Sequence, residues 1–390
     1  MMAGSKSHAS RFSTGLLLLG GAGALLALLD FLSRQLSSLV MLDLGVYLAS
    51  SYALATRANP WDAAQLTRIA HAQGYLPEGI SVLGLWTPPT AQVFLLPLTL
   101  LPVAWAKALY LLVTTGLVLS LTVLTRSWWK TLTGRELLGV VLSFPPFLAL
   151  LVWGQITGWM VLGYVLFVLW AGQKRDLAAG LSLLWLSFKP HLVLGVWLWI
   201  AIWIVRQQRW KIAAGALGGL AVTLALATLI NPAWPGYYLQ TWLAPPLVYE
   251  ASSLFRLLAH VFPAWPWVQF SGMALLVAGT VYWGLRQGDA LAIRPTGDWL
   301  LALSVIAAPY GWCYDQVILW PFFVGVVDRW RSHPLLRFFI YPGVAGLSVL
   351  YYLQFFQTLG NNDVRFFWFP WALLGSGVLP HIVDKGKGGC

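Results

Sequence analysis

The sequence predicts an all-α polytopic membrane protein, a bundle of about twelve transmembrane helices, and three observations carry that reading. Of 390 residues, 59% are hydrophobic and 9% are charged, whereas soluble domains run at roughly 45–50% and 25%. Dividing the apolar content by roughly 20 residues per span gives about twelve crossings. The apolar runs are continuous rather than alternating, which is the pattern of spanning helices and not of an outer-membrane barrel. Together these exclude a soluble enzyme, a disordered chain and a peripheral anchor. The net charge of +11 reads as loop charge that sets orientation, not as a nucleic-acid footprint. Two cysteines, Cys313 and Cys390, stand far apart, so neither a disulfide framework nor a thiolate zinc site is expected.

The elements follow in order. Lys6, His8 and Arg11 precede an apolar run from Phe12 to about Leu29. No small-residue cleavage site follows, so this run is read as a first span entering from the cytoplasm rather than a signal peptide. Further runs cover approximately 104–125, 137–152, 157–172, 177–188, 190–205, 211–230, 266–285, 299–310, 316–327, 335–356 and 366–382. The segments between them alternate in charge. Arg126–Arg135, Lys174–Arg175, Arg206–Lys211, Arg286–Arg294, Arg329–Arg337 and the tail with Lys385 and Lys387 are basic, which places both termini in the cytoplasm. Residues 88–102 are apolar but short and broken by Pro97 and Pro102. They read as a kinked or re-entrant half-helix, tolerable where protein or water covers its free backbone groups. The chain is read as one domain over 1–390. A module over 12–230 carries an outer loop at 30–88, and the C-terminal helices over 231–390 carry an outer loop at 231–265. Loops this long in a compact bundle usually carry function.

Several polar residues interrupt the apolar pattern on the outer side. Asp43 opens a stretch that reads as a short amphipathic helix on the outer surface, where it serves either as an N-cap or as a general base. Arg57, in a turn before Asn59-Pro60, suits an anionic headgroup. Gln155 lies in Trp153-Gly-Gln-Ile-Thr-Gly158, a tight helix–helix turn in which its amide suits a sugar hydroxyl. Lys189 precedes Pro190 and is pushed out of helical geometry. An ionisable group near the hydrocarbon boundary is functional by default, and a lysine there suits a phosphate. The alternative is a lysine snorkelling to lipid headgroups. His191 beside it can donate a hydrogen bond or assist proton transfer. Asp315 reads as an N-cap for the following span or as a carboxylate orienting a cation or sugar hydroxyls. Arg256 and Glu250 lie in the second outer loop. There is no metal signature and no Gly-rich phosphate loop, so neither a metal nor a cofactor is expected.

Taken in order, these pieces resemble a family. A first span is followed by Asp43-Leu-Gly-Val-Tyr47, then Asn59-Pro-Trp-Asp62, Thr87-Pro-Pro89, Gly154-Gln-Ile-Thr157, Phe188-Lys-Pro190 and Pro309-Tyr-Gly-Trp312. The pattern resembles glycosyltransferase family 87, polyprenol-phosphate-mannose-dependent mannosyltransferases of the GT-C superfamily. The resemblance implies a GT-C-type bundle with its active site at the outer face of a bacterial plasma membrane. It maps the catalytic base to Asp43. It maps the family's Gly-Gln element to Gly154 and Gln155 and its Lys-Pro element to Lys189 and Pro190, and Tyr47, Trp312 and Tyr314 are expected beside the substrate. The family's late motif usually continues into a pair of histidines, and here those positions read Tyr314 and Asp315.

The implied reaction is one inverting glycosyl transfer. A polyprenyl-phosphate sugar is the donor and a lipid or glycan hydroxyl the acceptor. Asp43 takes the proton, Asp315 is the second candidate catalytic carboxylate, and Lys189, joined by Arg57 or Arg256, meets the departing phosphate. The expected partners are these substrates and membrane lipids, with no nucleic acid, and the chain is expected to be a monomer. Two other classes fit the composition: a lipid or solute transporter or flippase, and a non-catalytic lipid-binding protein of the same fold. The notable polar groups cluster at the outer ends of the runs, which favours an interfacial enzyme over a transporter with sites at the bilayer midplane.

Overall fold

The computed structural model describes residues 41–243, 252–286, 293–358 and 363–386. The expected first span and Glu250 lie outside the described residues. Among the described residues every regular element is helical. In chain order these are α1 (Leu42–Ala55), α2 (Ala63–Ala72), α3 (Pro89–Leu95), α4 (Val103–Leu124), α5 (Gly134–Leu142), α6 (Pro145–Trp153), α7 (Thr157–Gly172), α8 (Asp176–Ser182), α9 (Leu194–Arg206), α10 (Trp210–Ile230), α11 (Trp234–Leu243), α12 (Leu254–Val261), α13 (Ser271–Arg286), α14 (Ile293–Ala307), α15 (Trp320–Ser332), α16 (Ile340–Thr358) and α17 (Trp368–Gly386). Short 3-10 segments at Leu96–Leu100, Leu183–Phe188, Pro190–Val193 and Cys313–Leu319 join several of them.

The count of about twelve spans is not confirmed. Among the described residues three helices are long and apolar enough to cross a bilayer, Val103–Trp128, Trp210–Ile230 and Pro266–Arg286. A fourth counts if α5 and α6, bent by 57° at their junction, act as one. The reason is local. Pro145 and Pro146 break the run at 137–152, and the run at 177–188 becomes a seven-residue helix followed by 3-10 turns. Apolar content measures what is kept from water, not how many turns run uninterrupted. Many of these residues bury against one another, and Phe144, Tyr164, Phe188, Trp199 and Trp320 are fully enclosed. By contrast α10 leaves Leu217, Val222 and Leu229 exposed, as a lipid-facing helix requires.

The half-helix expected at 88–102 is the short α3, which tightens into 3-10 turns at Pro97. Helix α1 departs from expectation. The sequence predicts an amphipathic, superficial helix, yet most of its residues are buried. Its small residues let neighbours close in on several sides, and its hydroxyls are satisfied locally. Ser50 Oγ donates to the Pro60 carbonyl at 2.8 Å and Ser51 Oγ to the Tyr47 carbonyl at 2.8 Å.

Among the described residues, several basic segments contact one another. Asp328 accepts from the Thr131 N–H at 2.8 Å, and Arg331 pairs with Glu136. Arg294 donates to the Trp128 carbonyl at 3.0 Å and lies over the Trp129 ring at 4.0 Å. Arg209 pairs with Asp176, and Arg206 donates to the Leu285 carbonyl at 3.0 Å. These contacts link five segments that charge alternation had assigned to one side.

Helices α8 and α10 touch backbone to backbone. A Cβ at Gly180 would stand 2.1 Å from the Ile212 carbonyl oxygen, and one at Gly215 2.4 Å from the Leu177 oxygen. Small residues at such crossings are how apolar helices gain close packing. Gly180→Leu is expected to force the pair apart and cost about 1–3 kcal/mol. The measure is the unfolding midpoint of the detergent-purified protein. An unchanged midpoint would mean that the crossing does not limit stability.

Candidate active site

The site forms where four chain breaks converge. The first is the start of α1. Met41 adopts a left-handed backbone (φ 66°), and its N–H donates to the Val152 carbonyl at 2.8 Å. Asp43 therefore sits in the first turn of α1, not at its cap, and the N-cap reading for Asp43 is overturned. The second break is the turn between α6 and α7. Gly154 closes α6 with φ 69°, and a Cβ there would lie 2.7 Å from Leu44 Cβ and 2.9 Å from Met41 Cβ. Only glycine combines that backbone with that approach, and the turn delivers Gln155 beneath Asp43. The third is Lys189, whose extended backbone (φ −141°, ψ 72°) separates two 3-10 segments, as Pro190 requires. The fourth is the stretch after α14 that carries Trp312, Tyr314 and Asp315.

These breaks place a buried polar chain. Gln155 donates its Nε2 to Asp43 Oδ2. Its Oε1 accepts from the Tyr47 hydroxyl at 2.8 Å and from Lys189 Nζ at 2.9 Å. Lys189 Nζ also donates to Asp315 Oδ1 at 2.7 Å, and the two residues are 4% and 1% exposed. That burial excludes a lysine snorkelling to the surface. Asp315 Oδ1 further accepts from Thr157 Oγ1 at 2.6 Å, and Oδ2 accepts from the Trp312 N–H at 3.1 Å. Asp315 thus closes the start of its helix from the third position rather than capping it. Both of its oxygens are engaged.

Asp43 is half-buried, and its carboxyl faces a cavity of about 500 Å³. Removal from water pushes its pKa above the ordinary carboxylate value, and the Asp315 charge acts in the same direction. The Gln155 amide, the Lys189 charge and the Tyr314 hydroxyl pull it back. A carboxylate so poised accepts a proton more readily than one in water.

The cavity wall includes Asp43, Tyr47, Gln155, Lys189, His191, Trp312 and Tyr314. The Trp312 and Tyr314 rings stack at 6.1 Å and 15°, and the Lys189 ammonium lies 5.7 and 5.2 Å from them. His191 packs on Tyr310 at 4.2 Å between centroids, and its Nε2 has no hydrogen-bond partner. Residues Ile80 to Thr87, which form no regular element, also line it.

Two residues expected at the site stand apart from it. Arg57 is exposed and donates to the Ile230 carbonyl at 3.2 Å. Arg256 is buried on α12 and donates to Gln269 Oε1 at 3.3 Å. Neither lines the cavity. Conversely, the sequence reading misses Thr157, which lies two residues from Gln155. It also misses Tyr110, whose hydroxyl donates to the Gln155 carbonyl at 2.8 Å. A phenol in the middle of an apolar span was the available signal. Among the described residues no three His, Cys, Asp or Glu side chains gather at one point.

The described fold is a bundle of apolar helices with a half-buried carboxylate, Asp43, in the wall of a cavity of about 500 Å³. The profile of glycosyltransferase family 87 matches residues 86–313, more than half of the chain. The chain belongs to glycosyltransferase family 87 and is a membrane glycosyltransferase, in keeping with a GT-C superfamily placement. No curated protein matches it, and no solved structure does. The matched interval contains Gln155, Lys189, His191 and Trp312. Asp43, Tyr314 and Asp315 lie outside it and are tied to it by the contacts above.

Proposed function

We propose that the protein transfers a hexose, mannose by the family resemblance, from a polyprenyl-phosphate carrier to a hydroxyl of a lipid or glycan acceptor, with inversion. The observation that carries this reading is Asp43, held by Gln155 in the wall of a cavity lined by apolar and aromatic side chains. Asp43 accepts the acceptor's hydroxyl proton as that oxygen bonds to the anomeric carbon. The bond from that carbon to the phosphate oxygen breaks, and the lipid phosphate leaves with the electron pair. The transition state is oxocarbenium-like. Lys189 has committed two of its three N–H groups, to Gln155 and Asp315, which leaves one for a phosphate oxygen. Charge stabilisation of the leaving phosphate is the largest expected contribution to rate. Stacked Trp312 and Tyr314 offer a face for the sugar ring. The reading needs one chain and no cofactor. It places the cavity at the extracytoplasmic side of the plasma membrane and the joined basic segments with both termini in the cytoplasm.

The test is purified protein incubated with polyprenyl-phosphate mannose and a bacterial lipid extract, read by mass spectrometry. A hexose-shifted product with loss of donor is expected. Donor left intact while another lipid-linked sugar is consumed would transfer the proposal to that sugar. No transfer from any lipid-phosphate sugar would sink it.

A further inference from the structure

The family match and the reaction leave open why Gln155 is enclosed at only 2% exposure, where a sugar has little access to it. Its amide answers the question. A lysine ammonium can only donate hydrogen bonds, so the Gln155 atom 2.9 Å from Lys189 Nζ must be the oxygen. The Tyr47 hydroxyl shares that oxygen at 2.8 Å. The other end, the NH2, is then forced onto Asp43. The reversed amide would set an oxygen against the Asp43 carboxylate and an NH2 against the ammonium, losing both contacts. Lys189 is in turn fixed by Asp315, which Thr157 and the Trp312 backbone hold from behind.

We infer that Gln155 is a positioning residue that couples the Lys189–Asp315 pair to Asp43, orienting the Asp43 carboxyl and favouring its ionised form. This rests on reading Asp43 as the base. It differs from a sugar-binding role for Gln155, because both ends of the amide are already occupied by protein. The groups that act on Asp43 are Tyr47 on its own helix, Gln155 at the α6–α7 turn, Lys189 between the 3-10 segments, and Tyr314 and Asp315 after α14; Tyr110 on α4 and Thr157 reach it through Gln155 and Asp315, and His191 shares the cavity wall. Of these, Gln155 and Tyr314 hydrogen-bond the carboxyl itself.

The experiment is a titration of the Asp43 carboxyl by infrared difference spectroscopy, isolated as wild type minus Asp43→Asn, so that no substrate is needed. Gln155→Met removes the donor without adding charge. The protonated-carboxyl band is expected to persist about one pH unit or more higher than in wild type, since hydrogen bonds to charged groups are worth that much. Gln155→Glu keeps an oxygen for Tyr47 and Lys189 but sets a second carboxyl against Asp43. The two then share one proton and titrate as a pair. Because each titration compares pH values within one preparation, a lower yield of folded variant does not change it. With polyprenyl-phosphate mannose, kcat is expected to fall roughly 10- to 100-fold, with KM moving far less. An Asp43 band that titrates at the wild-type pH in both variants would overturn the inference, even if Asp43→Asn is inactive. A displaced band with a fully active Asp43→Asn would uphold the coupling and sink the base reading instead.

Discussion

Asp43→Asn is expected to lower the transfer rate by roughly 10²–10⁴-fold, the usual contribution of a positioned general base, with the fold left in place. The substitution is nearly isosteric. An asparagine oxygen at that position still accepts from Gln155 Nε2, so the polar chain through Lys189 to Asp315 keeps its partners. What is lost is the ability to take a proton. The wild-type rate is expected to depend on pH with a sign set by the same group. Asp43 must be ionised to act, so activity is present above its pKa and falls as the pH drops through it. Burial raises that pKa, so the loss begins at a higher pH than for a carboxylate in water. The residual rate of Asp43→Asn is expected to lack this acid limb. Equal rates in both proteins would remove Asp43 as the base. They would also pose a problem for Asp315, whose two oxygens are engaged by Lys189, Thr157 and the Trp312 backbone.

The residues legible in the sequence share one property: each is a polar interruption of an apolar run. Lys189 beside Pro190, Gln155 after Gly154 and Asp315 near Pro309 announce themselves because water-avoiding sequence tolerates such groups only at a price. Their local geometry follows from the same neighbours, as the extended Lys189 and the left-handed Gly154 show. Pairing is not legible in this way. Nothing local says that Asp315, 126 residues away, neutralises Lys189. Nor does anything local say that Arg57 and Arg256 turn to the Ile230 carbonyl and Gln269. A charge in sequence marks a need for a partner without naming it. The misreading of α1 has a related cause. Gly45, Ala49, Ser50, Ser51 and Ala53 look polar or neutral on a helical wheel, yet small size lets them pack inside. Hydropathy does not fix the span count, because it sums over residues, whereas crossing a bilayer needs an unbroken hydrogen-bonded helix.

The Lys189–Asp315 pair yields the second large effect, and here stability and activity are expected to separate. Either single change, Lys189→Met or Asp315→Asn, leaves one buried charge without its counter-ion. Breaking a buried pair in this way costs roughly 3–5 kcal/mol, because the surviving charge has lost both water and partner. Lys189→Met carries a further loss, since Gln155 Oε1 keeps only Tyr47 to hold it. Both single variants are therefore expected to unfold earlier and to transfer slowly. The double variant Lys189→Met with Asp315→Asn removes both charges of the pair, so neither is left buried without its counter-ion. It is expected to regain a large part of the stability lost by either single change, since neutral replacements of buried pairs are often tolerated. It is not expected to regain activity, because no ammonium is left to meet the departing phosphate or to fix Gln155 on Asp43. The measurement is a double-mutant cycle on unfolding free energy beside the rate for each variant. A double variant as unstable as the worse single one would deny the pair its mutual compensation. A double variant that is both stable and fully active would show the ammonium to be dispensable, and the leaving phosphate would then have to be met elsewhere in the cavity, where the buried His191 Nε2 has no hydrogen-bond partner.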